Sequence, residues 1–160
     1  YNEFVFQFLT QHDNTYLTEL HQLFMQKVIR PKMRPKGFDA IKKHQDLGHA
    51  IVGITATSDF ITAPIFREFG ITEIIATNAE VVDGRYTGKV TGIPCYQKGK
   101  LARLDQWLAG RTVAESWAYS DSINDRFLLE YATHAIAVNP DDRLEKLAKE
   151  QDWDIQDWSI

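Results

Sequence analysis

Trp117-Ala118-Tyr119-Ser120-Asp121-Ser122-Ile123-Asn124-Asp125 carries a short apolar strand straight into a polar turn, and the helical pattern of Phe127, Leu128, Leu129 and Tyr131 follows. Two carboxylates and an amide therefore meet at one strand-to-helix junction. Mg²⁺ takes oxygen ligands in octahedral geometry and is usually held by one or two carboxylates with waters and substrate phosphate oxygens. Asp121 and Asp125 suit that role, Asn124 can ligate or orient, and Ser122 can donate to a phosphate. The same residues also read as capping chemistry, with Asp121 or Ser122 as an N-cap and Asp125 as a first-turn partner of the helix dipole.

Outward from this junction, apolar strands alternate with amphipathic helices. Upstream, the pattern predicts a helix over 38–47 closed by Gly48, a strand over 50–54, a helix over 60–69 closed by Gly70 and a strand over 71–76. Residues 80–90 form two short strands about Asp83-Gly84, a strong hairpin signal. Leu101, Leu104, Trp107 and Leu108 share one face of a helix over 100–108. Downstream lie a strand over 135–138, a turn and helix start at Asn139-Pro140-Asp141, a helix over 144–149 and an edge strand at Ile155. Continuous apolar strands separated by helices predict the α/β class, a doubly wound parallel sheet covered on both faces, whose ligands gather at the carboxyl ends of the strands. Residues 16–29 read as a helix capped by Thr15 and stopped by Pro31. Residues 1–10 fit either a strand through Phe4, Phe6 and Phe8 or a helix with Phe4, Val5, Phe8 and Leu9 on one face, and the helix is preferred.

At 160 residues and 44% hydrophobic, the chain suffices for one domain or for a core plus a small appendage. A net charge of −4 without a basic stripe argues against nucleic acid and anionic membranes as partners. No apolar stretch is long enough to span a bilayer, and the single cysteine, Cys95, allows no internal disulfide, so a cytoplasmic location is expected. Cys95 reads as a packed thiol, the four tryptophans as packing residues and the five histidines as surface or core residues. Arg30, Lys32, Arg34 and Lys36 form a basic patch that reads either as facing an anionic substrate or as a solvated linker, and the linker is preferred. The first residue is Tyr1, which suggests that the natural chain begins further upstream.

Two other groups suited to phosphate stand at similar junctions. Thr55 follows Val52-Gly53-Ile54, and its hydroxyl, with the N–H groups from Ala56 onward, can cradle an anion at the next helix start; ordinary capping is the competing reading. Lys100 heads a helix, where the dipole disfavours a cation, so a functional reason is invited. Lys98 is its competitor.

Taken in order, Ile54-Thr55-Ala56-Thr57, Gly99-Lys100-Leu101 and Tyr119-Ser120-Asp121-Ser122-Ile123-Asn124-Asp125 resemble the second, third and fourth motifs of the haloacid dehalogenase superfamily, most closely its phosphoserine-phosphatase-like branch. The resemblance extends to Ala63-Pro64-Ile65, Phe69-Gly70-Ile71, Asp83-Gly84-Arg85-Tyr86-Thr87-Gly88 and Ala137-Val138-Asn139-Pro140-Asp141. It implies a Rossmann-like three-layer α/β/α core and an Mg²⁺-dependent phosphomonoesterase that works through an aspartyl-phosphate. Thr55 and Ala56 would then bind phosphate, Lys100 would hold phosphate and nucleophile, and Asp121 with Asp125, supported by Asn124, would hold the metal. Residues 1–30 would be the remnant of a helical cap, and 31–160 a core lacking its first strand.

The chain departs from that pattern at the first motif, an apolar strand followed by Asp-x-Asp-x-Thr. The nearest imitation, Gln11-His12-Asp13-Asn14-Thr15, puts glutamine at the nucleophile and reads as a loop between cap helices. The chain is therefore expected to be the C-terminal portion of a phosphatase for a small phosphomonoester such as phosphoserine or histidinol phosphate, inactive by itself. Loss of the first strand is expected to leave a sheet edge open to self-association. The rival is a non-catalytic binding domain that kept the fold. A phosphoacceptor receiver domain is disfavoured because its acidic pair comes first along the chain and its lysine last.

Overall fold

Strand and helix alternate as the apolar pattern requires, and the computed structural model describes residues 2–159. The chain forms two compact units, Tyr1–Cys95 and Tyr96–Ile160, each with a three-stranded sheet.

In the first unit, α1 (Asn2–Thr10) settles the ambiguous start as a helix; Tyr1 lies outside the described residues. Its buried stripe is Phe6 and Leu9, which cluster with Leu17, while Phe4 is 77% exposed. The expected face through Phe4 is thus rotated. A segment this rich in Phe has several candidate stripes, and packing against its partners selects one. Helix α2 (Asn14–Phe24) starts earlier than expected because Asp13, not Thr15, is its cap, accepting the Tyr16 N–H at 2.9 Å. A π turn at Met25–Ile29 and a 3₁₀ turn at Arg30–Lys32 continue it through the stretch expected to be α-helical. Arg30 in the basic stretch is bonded to Glu68 at 2.8 Å. Helix α3 (Pro35–Asp46) begins with proline in its first turn, where a missing N–H costs nothing.

Strand β1 (Val52–Ser58) pairs in parallel with β2 (Glu73–Val82), and α4 (Asp59–Glu68) connects them. Gly53 is there because the Phe66 ring of α4 lies against it: a Cβ on Gly53 would come within 2.5 Å of the ring. β2 is one continuous strand where the sequence suggested two pieces, and it turns at Asp83-Gly84 into antiparallel β3 (Arg85–Thr91). Both turn residues have positive φ, 50° and 75°, as a two-residue type I′ hairpin requires. Cys95 is fully buried beneath β2, with Sγ 3.7 Å from the Ile75 carbonyl.

The second unit holds α5 (Lys98–Leu108), β4 (Trp117–Ser120), α6 (Arg126–Tyr131), β5 (His134–Val138), α7 (Asp142–Glu150) and β6 (Asp154–Gln156). Its sheet runs β4-β5-β6, parallel throughout. Leu129, Ala135, Ala137, Leu144 and Ala148 form the core, with Ala118, Ile123 and Trp153 packed against it. Small alanines on β5 let α7 approach the sheet closely, so that Leu144 and Ala148 are wholly buried. Trp117 stacks on His134, their ring centroids 4.8 Å apart.

The expected α/β class with parallel strands is the class found. Hydrogen bonding nevertheless runs in two sheets rather than one, and β2 with β3 is antiparallel. Among the described residues β1 pairs only with β2, and β4 only with β5, which leaves each sheet a parallel edge without a partner. No helix among them is long and apolar enough to cross a membrane.

Candidate active site

Strand β4 ends at Ser120, and its hydroxyl organises the turn that follows. Ser120 Oγ donates to Asp125 Oδ2 at 2.8 Å and accepts the Ser122 N–H at 3.2 Å. Ser122 Oγ in turn accepts the Asn124 N–H at 3.2 Å, and the Asp125 N–H reaches the Ser122 carbonyl at 3.0 Å. Ser122 is thus the cap of the short 3₁₀ turn Ile123–Asp125, one of the two residues that the capping reading named.

Lys100 enters this turn from α5. It is the third residue of that helix, not the first, and only 6% exposed, and its Nζ donates to Asp125 Oδ1. A lysine is almost never so deeply buried unless a carboxylate compensates the charge. Lys98, its competitor, is exposed, with Nζ 5.7 Å from the centre of the Phe127 ring. The helix phase decides between them: residues two apart on a helix point to different faces, and Lys100 shares the face turned to α6.

Asp121 and Asn124 lie on the same turn with exposed side chains. The Asp121 carboxylate has no hydrogen-bond or ion-pair partner among the described residues, whereas both oxygens of Asp125 are engaged. The donor set is therefore two carboxylates and an amide, hard oxygen ligands with one carboxylate entirely free. No cluster of three or more His, Cys, Asp or Glu suited to a metal occurs among the described residues. These residues fit a cation such as Mg²⁺, which draws its remaining ligands from water and phosphate, and do not fit a closed all-protein cage.

Thr55 and Ala56 belong to the first unit. Thr55 lies inside β1, not after it, since the strand continues to Ser58. The pairing is irregular there: Ile54 faces Ile75 and Ser58 faces Thr77, so Thr55, Ala56 and Thr57 stand against the single residue Ala76. Such a bulge takes main-chain groups out of the ladder. Thr55 Oγ1 accepts the Thr57 N–H at 3.2 Å and keeps its own proton to donate. The Ala56 carbonyl accepts from Thr77 Oγ1 at 2.8 Å. Ser58, fully buried at the start of α4, has a hydroxyl without a partner among the described residues.

Two arrangements escaped the sequence reading. Asp141, read there as part of a turn and helix start, caps α7 and also reaches back to the acidic turn: Oδ1 accepts the N–H groups of Arg143 and Leu144 at 3.0 and 2.9 Å, and Oδ2 accepts that of Ile123 at 2.9 Å. The N–H bonds from Ile123 and Leu144 hold its carboxyl below the usual carboxylate range. The cap was legible as Asp before a helix, but the partner 18 residues away was not. The other is His44 and His49, whose Nδ1 atoms approach to 2.8 Å.

Residues 1–130 match the model of the haloacid dehalogenase-like hydrolase family. A histidinol-phosphatase of Neisseria meningitidis is 40% identical over 153 residues, 92% of this chain and 69% of that protein. A phosphoserine phosphatase of Mycobacterium tuberculosis is 36% identical over 147 residues, 90% of this chain but 47% of the relative, so the chain spans about half its length. A crystal structure of a protein of unknown function from Bordetella pertussis superposes with a TM-score of 0.94 at 41% identity, covering 99% of this chain and 73% of that one.

Proposed function

The chain belongs to the haloacid dehalogenase-like hydrolase family, and from that membership we propose that it carries the metal and lysine half of an Mg²⁺-dependent phosphatase acting on a small phosphomonoester. The observation that supports this most is the buried Lys100 bonded to Asp125 on the same turn as the unpartnered Asp121. Mg²⁺ bound at Asp121 and Asp125, with Asn124 in support, would polarise the phosphoryl oxygens and offset charge developing in transfer. The Lys100 ammonium, already desolvated, is set to neutralise a phosphate oxygen without reorganisation. Ser120 keeps Asp125 in one rotamer. In the first unit the reading assigns phosphate binding to Thr55, whose hydroxyl keeps a proton to donate, and to Ala56 beside it.

The nucleophile of the Asp-x-Asp-x-Thr pattern is not among these residues, so this chain by itself should be inert toward phosphomonoesters. Residues 1–30 would serve as part of a helical cap and 31–160 as a core that receives a further strand, in a cytoplasmic enzyme. The histidinol-phosphatase and phosphoserine phosphatase relatives make those two phosphate esters the first substrates to try. Without that strand, the open edges of β1 and β4 should promote self-association, visible as a sedimentation coefficient that rises with concentration. The test of the reading is p-nitrophenyl phosphate with Mg²⁺. Turnover by this chain that is abolished by Asp121→Asn would overturn the proposed inactivity while supporting the metal site.

A further inference from the structure

Resting on the metal-site reading above, we propose that Asp141 is the positioning residue of the acidic turn, holding residues 121–125 in the geometry that presents Asp121 and Asp125 to a divalent cation. The turn's own bonds are local: Ser122 to Ser120, Asn124 to Ser122 and Asp125 to Ser122 each close within a few residues. Local bonds fix the shape of a turn but not its placement. Lys100 ties down one side chain of the turn, and Asp141, just beyond the carboxyl end of β5, places its main chain. Its N–H donates to the Asp121 carbonyl at 2.8 Å, and its Oδ2 accepts the Ile123 N–H at 2.9 Å, so one residue grips the turn at two points on either side of Ser122.

The grip is anchored on rigid structure. The other oxygen of the same carboxylate caps α7 through Arg143 and Leu144, and Leu144 is wholly buried in the core of the unit. Ile123 packs against that same core. Asp141 therefore ties the acidic turn to the helix whose apolar face packs on the sheet, and the Asp121 carboxylate takes its place from a main chain bonded to that anchor. Partners that orient metal ligands at one remove typically carry about ten-fold or more in metal affinity.

The cap and the clamp use different oxygens, so they can be separated. Asp141→Ser retains an N-cap but is too short to reach Ile123. Asp141→Asn keeps one acceptor for the cap and turns an NH₂ group toward the Ile123 N–H. Two measurements on the whole chain decide: amide hydrogen exchange, and Mn²⁺ titration by electron paramagnetic resonance, with Asp121→Asn as control. Both Asp141 variants should accelerate exchange at Ile123 by about ten-fold, leave Leu144 within a few-fold of the original, and weaken Mn²⁺ binding by about ten-fold. Unchanged Mn²⁺ affinity, unchanged exchange at Ile123, or equal loss of protection at Leu144 would each overturn the assignment. If Asp121→Asn and the original chain take up Mn²⁺ alike, or neither does, the metal-site reading has failed. Exchange then rules on the clamp alone: faster exchange confined to the acidic turn upholds it, and no change overturns it.

Discussion

Exchanging Lys100 and Asp125, singly and together, puts a number on the contact that the functional reading leans on most. The side chain of Lys100 is 8% exposed and that of Asp125 is 18% exposed, so the two losses should be unequal. Asp125→Asn leaves a desolvated ammonium facing a neutral amide. Removing one partner of a fully buried pair costs about 3–5 kcal/mol, and the retained amide oxygen and partial solvent access bring the estimate down to about 2.5 kcal/mol. Lys100→Met keeps the aliphatic stem, and Asp125 retains Ser120 and water, for a cost of about 1.5 kcal/mol. With both charges gone, nothing buried is left uncompensated, and the double variant should cost about 2 kcal/mol. The coupling is then about 2 kcal/mol, well above the ~0.5 kcal/mol within which independent sites add. All four tryptophans, at 107, 117, 153 and 158, lie in the second unit, so urea unfolding followed by tryptophan fluorescence reports on the unit that holds the pair. At a slope of about 1 kcal/mol/M, the Asp125→Asn midpoint should fall by about 2.5 M and that of the double variant by less. Additive losses, or a double variant worse than Asp125→Asn, would refute the claim that the two charges compensate each other.

Three further outcomes follow from the first unit. Burial, with His49 and Lys43 nearby, holds His44 below the usual imidazole range, so the folded chain takes up its proton less readily than the unfolded one. That stability is fully present above the unfolded value near 6.5 and is lost as pH falls toward the depressed folded value; melting temperature should drop below about pH 6.5, and His44→Gln should flatten the drop, as circular dichroism would register. Gly53→Ala drives a methyl into the Phe66 ring and should cost about 1–3 kcal/mol, with partial recovery when Phe66 is trimmed to leucine; a neutral Gly53→Ala would show that the ring yields. Ser58→Ala removes a buried hydroxyl that has no partner among the described residues and should be neutral or stabilising by up to about 1 kcal/mol; a loss of 1 kcal/mol or more in urea unfolding would mean that the hydroxyl is satisfied in solution.

Much of this was written locally and could be read locally. The hairpin at Asp83-Gly84, the helix stops at Gly48 and Gly70 and the strand-turn-helix at 117–131 depend on backbone preferences that a few residues express by themselves. Lys100 could be singled out because a lysine near a helix start runs against the dipole, and its partner Asp125 because a carboxylate pair at a strand end suggests a cation. The rotation of α1 toward Phe6 and Leu9 could not, because the stripe is chosen by what α1 meets.

Illegibility has a physical pattern here. The bulge at Thr55–Thr57 exists only relative to β2, whose residues lie some twenty positions away, and a strand read alone has no register. His44 and His49 are five residues apart, a spacing that suggests no pairing on a helix, and they meet because the chain reverses past the end of α3. Asp141 shows the rule most sharply: one carboxylate oxygen obeys a local grammar, the N-cap, and so hides the other, which obeys a tertiary one. A carboxylate has more acceptor sites than any cap consumes. Wherever a strong local motif leaves hydrogen-bonding capacity unspent next to a functional turn, the remainder is the place to look for the contact that holds the turn in position.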